Sequence, residues 1–212
     1  SDEMEAITIG LQDQCTRSKF HYVFADTDLV DERGKNPDFH QIHKLFFLIA
    51  RSIDWVGLAS QQILSELENR GITMPSGAIC ADIDVVAEHN GKTIGELEQD
   101  YHSLTKDLWV KDYGMGLNMR LALAALGAAQ VNERRVSPTT EEVLLGWLTG
   151  KVPPGGSAQL KKINIYETIA RQNAKTMLQS LSHWLPSTNV KGLCLVFDFR
   201  PYERLKLTKK EI

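Results

Sequence analysis

Apolar positions along this 212-residue chain follow two rhythms, a three-to-four-residue recurrence over most of its length and two short dense runs near its ends. Ile7, Leu11 and Cys15 stand four residues apart and predict a helix over about residues 3–18. The next run, Phe20-His-Tyr-Val-Phe-Ala-Asp26, is aromatic and β-preferring and short enough for a strand. Asp31-Glu-Arg-Gly-Lys-Asn-Pro37 then reads as a turn.

From there to about residue 185 the pattern is helical. Phe39, Ile42, Leu45, Phe46 and Ile49 form one apolar stripe, which Leu58 to Leu67 continue after a break near Trp55-Val-Gly57. Thr93-Ile-Gly-Glu96 has the spacing of a capping box, and Ser137-Pro-Thr-Thr-Glu-Glu142 offers an N-cap, a first-position proline and first-turn acids. Val152-Pro-Pro-Gly-Gly-Ser157 cannot continue a helix. Asn164-Ile-Tyr-Glu167 is expected to open a long helix carrying Ile165, Ile169, Met177, Leu178, Leu181 and Trp184. The second dense run, Lys191-Gly-Leu-Cys-Leu-Val-Phe-Asp198, reads as a buried strand that ends on a carboxylate.

Helix, strand, a helical block and a second strand give a predominantly helical α/β chain with a small parallel sheet. Parallel pairing needs a crossover connection, and the helical block supplies one, so the two strands are expected to be neighbours. An isolated two-stranded parallel sheet would be weak, which calls for further strands from additional chain or a partner.

Composition narrows the function classes. With 24 basic against 27 acidic residues there is no global field to hold nucleic acid, so DNA is expected at most indirectly. Cys15, Cys80 and Cys194 are widely spaced without a CxxC pair, and are read as reduced, buried thiols of a cytoplasmic protein. Leu45-Phe-Phe-Leu-Ile-Ala50 is far shorter than the roughly 20 residues of a membrane span, and Arg51 interrupts it. The acidic start of the chain lacks the basic and apolar regions of a signal peptide, so no membrane association is expected.

The strongest chemical candidate is Asp198. In open parallel sheets ligands collect beyond the carboxyl ends of the strands, where an acid can meet a metal-bound phosphate. Asp26 and Asp28 follow the first strand and would share that edge, although an Asx turn explains them equally well. Arg200, with Arg204, could meet phosphate or a neighbouring subunit from the loop after the second strand. Lys111-Asp-Tyr-Gly-Met-Gly-Leu-Asn118 only superficially suggests a phosphate loop. It lacks the first glycine, the lysine and the hydroxyl of GxxxxGK[ST] and reads as a turn between helices. His40 and His43 lack a third metal ligand nearby, and Asp82 and Asp84 alternate with apolar residues as an amphipathic segment does. No nucleophile arrangement is recognisable, and no catalytic residue is assigned.

Three segments together resemble a known family. Phe20 through Leu29 with Phe39 through Ser52 resemble the strand and first helix after the phosphate loop of BREX-type ATP-binding domain proteins, which are associated with bacterial phage defence. Leu145-Gly-Trp-Leu-Thr-Gly-Lys151 resembles that family's tryptophan-leucine-glycine element, and Asn164 through Asp198 its long helix and Walker B strand. The resemblance implies a P-loop NTPase-like core from residues 1–36 and 159–212, with 37–158 as a helical insertion. It also implies ATP and magnesium in the complete assembly, and Asp198 alone carries over from it, as a magnesium-directing residue; Asp28 and Arg200 remain nucleotide-site candidates from their positions after the strands. The departures are specific: Ser1-Asp-Glu-Met-Glu5 stand where the phosphate loop would lie, and Phe199 follows Asp198 where hydrolytic relatives often carry glutamate. This chain alone is therefore expected to hold no cofactor, and turnover would need a phosphate loop from outside it. The alternative is a helical protein-interaction or regulatory domain with no nucleotide role.

Overall fold

Two seven-residue strands, β1 (Phe20–Asp26) and β2 (Gly192–Asp198), run parallel and in register from Phe20 opposite Gly192 to Asp26 opposite Asp198. They stand in a mostly helical chain, in a computed structural model that describes residues 2–26, 41–131 and 138–198. Before β1 comes α1 (Asp2–Arg17). Between the strands lie α2 (Ile42–Ser52), α3 (Trp55–Asn69), α4 (Ile83–His89), α5 (Ile94–Thr105), a π-helical turn (Lys106–Val110), α6 (Leu117–Val131), α7 (Pro138–Thr149), α8 (Gly156–Lys162), α9 (Ala174–Trp184) and a 3-10 turn (Leu185–Thr188). The chain is thus mostly helical, with a small parallel sheet, as the sequence pattern implied.

Side chains alternate between the two faces of a strand, and here the two faces have different covers. Val23 and Ala25 are buried, and Leu193 and Leu195 pack on the main hydrophobic core, so these odd positions face the helical block. His21 shares that face and donates from Nε2 to Ser52 Oγ at 2.8 Å, joining β1 to the end of α2. The hydroxyl's single proton goes to the Ile49 carbonyl at 2.7 Å, which assigns the proton of the His21–Ser52 bond to the imidazole. Tyr22 and Cys194, paired across the strands, lie on the opposite face, against α1.

Helix α2 forms because Phe46, Ile49 and Ala50 recur on one face, and all three are buried. Complete burial of Phe46 or Ile49 is worth roughly 1.5–3 kcal/mol each. The break expected near Trp55-Val-Gly57 is present and lies at Ile53-Asp54. Asp54 caps α3 by accepting from the Gly57 amide, which draws Trp55 into the first turn. The capping box at Thr93 and Glu96 forms as its spacing implied. Pro138 begins α7, whereas the Ser137 cap and the 31–37 turn fall outside the described residues.

One expected element takes a different form: the long helix does not open at Asn164 but begins at Ala174. Asn164 instead closes α8 in the left-handed conformation at φ 62°. The Ile165 amide donates to the Leu160 carbonyl and the Asn164 amide to that of Lys161, the two bonds of a Schellman motif. Trp147 Nε1 then donates to the Glu167 carbonyl at 2.8 Å, and Asn173 ties Ala170 N and the Thr168 carbonyl to its own side chain. Those groups are held by side chains instead of a helical ladder. Ile165 and Ile169 still reach the core, 1% and 6% exposed, from a non-helical backbone.

Four tryptophans anchor the centre of the helical block. Trp55 and Trp184 stack with ring centroids 5.4 Å apart and planes 3° from parallel. The indole N–H groups of Trp109 and Trp184 both donate to Gln62 Oε1, each at 2.9 Å, while Gln62 Nε2 donates to Ser187 Oγ at 3.0 Å. Trp109 sits in the π-helical turn, and its ring lies where a side chain on Gly127 of α6 would be.

Candidate functional site

The carboxyl edge of the sheet is positioned from its opposite end. Each strand is entered through a left-handed residue, Lys19 at φ 62° before β1 and Asn189 at φ 71° before β2. For a non-glycine residue that conformation costs roughly 1–2 kcal/mol. Here the two residues meet: Lys19 Nζ donates to Asn189 Oδ1 at 3.1 Å, and the Lys191 amide donates to the Lys19 carbonyl at 2.7 Å. These bonds set the start of one strand against the start of the other. Equal strand lengths then bring Asp26 and Asp198 opposite one another at the far end.

Neighbouring strands lie about 4.8 Å apart, so the backbone sets two acidic residues side by side where parallel sheets present ligand groups. Asp198 is half-buried and has interactions of its own. Carboxylates are the oxygen donors that a hard cation such as magnesium takes. Asp28 and Arg200, the other two nucleotide-site candidates, lie outside the described residues. Asp198 and Asp26 are therefore the site residues that the described fold brings together.

Other sequence candidates have structural roles. The loop of residues 111–116 links the π-helical turn to α6, and its glycine amides are already engaged. Gly114 N donates to Asp112 Oδ1 at 3.0 Å, and Gly116 N donates to Ser180 Oγ at 2.8 Å. His183 of α9 donates from Nε2 to the Asp112 carboxylate at 3.0 Å, and its ring lies against Gly114. These amides cannot cradle a phosphate without losing the contacts that shape the loop. Lys111 Nζ lies 2.6 Å from Asp107, which also pairs with Arg70. Lys111 and then Arg70 hold the Asp107 carboxyl below its ordinary pKa.

Asp82 flanks α4 and accepts from the Ile79 amide at 2.9 Å, so it stabilises a turn. His43 packs edge-on against Phe47, its Nδ1 buried without a hydrogen-bond partner, and His40 lies outside the described residues. Among the described residues no group of three histidine, cysteine or acidic side chains could hold a metal. All three cysteines are free, as expected, but Cys194 is only half-buried where a buried thiol was expected. Cys194 lies on the face toward α1, but α1 contacts chiefly β1, and every residue of β2 is only half-buried.

Sequence reading did not find Gln62 as the shared acceptor of two indoles. Its only linear signal is a polar residue beside the α3 stripe, and the two tryptophans that use it are 47 and 122 residues away. The Cys15–Cys194 proximity was equally hidden, since one lies on α1 and the other on β2.

No helix among the described residues is long and apolar enough to cross a membrane. Compared with known proteins, the chain matches no family model, no curated protein and no solved structure.

Proposed function

We propose that this chain supplies part of a nucleotide-binding α/β core, similar to that of BREX-type ATP-binding domain proteins, in a bacterial defence or DNA-associated assembly. The observation that carries this reading is the parallel strand pair ending in register on Asp26 and Asp198. Bound there, magnesium would neutralise phosphate charge and orient the nucleotide. Asp198 would hold the ion through its water shell, Asp26 would add negative charge beside it, and Asp28 and Arg200 would lie toward the nucleotide.

The phosphate-binding half has a different source. No GxxxxGK[ST] sequence occurs in the 212 residues, and the glycine amides of the 111–116 loop are engaged. A phosphate loop and further sheet strands would come from additional polypeptide or a protein partner in the cytoplasm, and DNA would be reached only through that assembly. A second reading, a helical interaction module without a nucleotide role, draws support from Ile7 and Ile9 of α1, each 54% exposed.

Magnesium-dependent ATP binding by an assembly that includes a phosphate loop separates the two readings. Wild type and Asp198→Asn would be compared at matched folded fraction, with and without magnesium. The nucleotide reading expects the substitution to weaken only magnesium-dependent binding, and equal magnesium dependence in both proteins would overturn it. The 212-residue chain alone is expected to show no ATP turnover above a buffer control. Robust turnover abolished by Asp198→Ala would show the site to be complete.

A further inference from the structure

Cys15 is the one buried residue in the stretch of α1 from Glu5 to Arg17, and its neighbour is another thiol. Helix α1 contacts β1, whose Tyr22 is the register partner of Cys194 on β2. The Cys15 and Cys194 side chains therefore meet beneath the helix, 179 positions apart in sequence, with Tyr22 beside both. Cys15 is 7% exposed whereas Cys194 is half-buried, so one thiol is shielded and the other is partly open to solvent.

We propose that Cys15 and Cys194 form a reversible disulfide that clamps α1 onto the sheet under oxidising conditions. This is a modification site independent of the nucleotide reading. Little else in that stretch of α1 is buried, and Ile7, Ile9 and Leu11 are exposed, so the helix has weak apolar attachment for a covalent link to reinforce. The oxidant is a small-molecule disulfide such as glutathione disulfide. The Cys194 thiolate attacks one of its sulfurs, forming a mixed disulfide and releasing one glutathione thiolate. The Cys15 thiolate then attacks Cys194 Sγ, the protein disulfide forms, and a second glutathione leaves; both thiol protons pass to solvent or to the leaving thiolates. Two protein thiols are oxidised while one glutathione disulfide is reduced to two thiols.

The surroundings favour a reduced resting state with slow exchange near neutrality. Burial, followed by the neighbouring Cys194 thiol, raises the Cys15 pKa, and burial likewise raises that of Tyr22. Only the thiolate attacks, so exchange should accelerate as pH rises. Cys80 is an internal control: it is buried and its pKa is pushed up to about 11.

The test equilibrates the intact chain with glutathione and glutathione disulfide over a range of ratios, followed by acid quench, alkylation and peptide mass mapping. A Cys15–Cys194 linked peptide is expected, with the loss of two hydrogens, while Cys80 remains a thiol. In Cys15→Ser the reaction should stop at a glutathione adduct on Cys194. Hydrogen exchange supplies a separate readout, with α1 amides expected to slow about tenfold on oxidation of wild type and to remain unchanged in either serine variant. A wild-type reaction that stops at the Cys194 adduct, or that joins Cys194 residues between chains, would overturn the proposal. A linked peptide without slower α1 exchange would overturn the clamp.

Discussion

Gln62 illustrates how much can depend on one polar atom in an apolar setting. Its Oε1 receives two buried indole N–H groups, and an unsatisfied buried donor costs roughly 1–3 kcal/mol. Gln62→Leu is thus expected to lower unfolding free energy by about 2–4 kcal/mol, measurable as a lower urea midpoint at unchanged slope. His21 gives a pH signature. Burial lowers its pKa in the folded protein, so the unfolded chain takes up the proton first as pH falls. Its contribution is intact above about pH 6.5 and declines as pH drops from there toward the lower folded pKa. Wild type should lose thermal midpoint on acidification from pH 7 to 5.5, and His21→Gln should flatten that decline. An unchanged slope in the variant would remove His21 as its cause. Neither role was legible from the sequence, because each depends on what tertiary packing places around a polar residue.

Among the elements, the best-read features were those whose signal is local. The Phe20–Asp26 and Gly192–Asp198 strands are short apolar runs, and the Thr93–Glu96 box is a four-residue pattern that closes on itself. Asn164 shows where local reading divides, since asparagine suits both a helix N-cap and the left-handed residue after a helix. The periodic Ile165 and Ile169 favoured the first use, but the Schellman bonds and the Trp147–Glu167 contact select the second. Asn164→Ala should therefore cost about 1–2 kcal/mol by forcing a β-carbon into the left-handed region, while Asn164→Gly should be tolerated. An N-cap role would give the same order for alanine and glycine, so Asn164→Ser separates the cases: serine caps a helix as well as asparagine does and would leave the thermal midpoint unchanged, whereas in the left-handed position it should lower that midpoint as alanine does. The π-helical turn had no sequence signature at all. It accommodates Trp109 over Gly127, so Gly127→Ala is expected to destabilise by about 1–3 kcal/mol through overpacking, and calorimetry would measure the loss.

At the scale of the molecule, one hydrophobic cluster runs from Val23 of β1 through all four tryptophans to Leu185, just before β2. Far-UV dichroism, which follows the helices, and tryptophan fluorescence, which follows the cluster, should consequently share one thermal midpoint. Two separated midpoints would show that the helices and the tryptophan core come apart independently. Helical content and strand pairing were legible because they arise from periodicity and crossover length. The candidate edge was legible only in part: Asp198 stands out at the end of an apolar run, whereas its pairing with Asp26 depends on register. That register is set at the opposite end of the sheet, where Lys19 meets Asn189, roughly 20 Å from the acidic pair. The strands therefore work as two rulers sharing a zero mark. Deleting one residue between Asn189 and Gly192 would move the mark on one ruler alone, and period-two alternation would turn every β2 side chain to the other face. Asp198 would leave Asp26 and turn toward the core, so the integrity of the acidic edge depends on a short entry segment that never touches it.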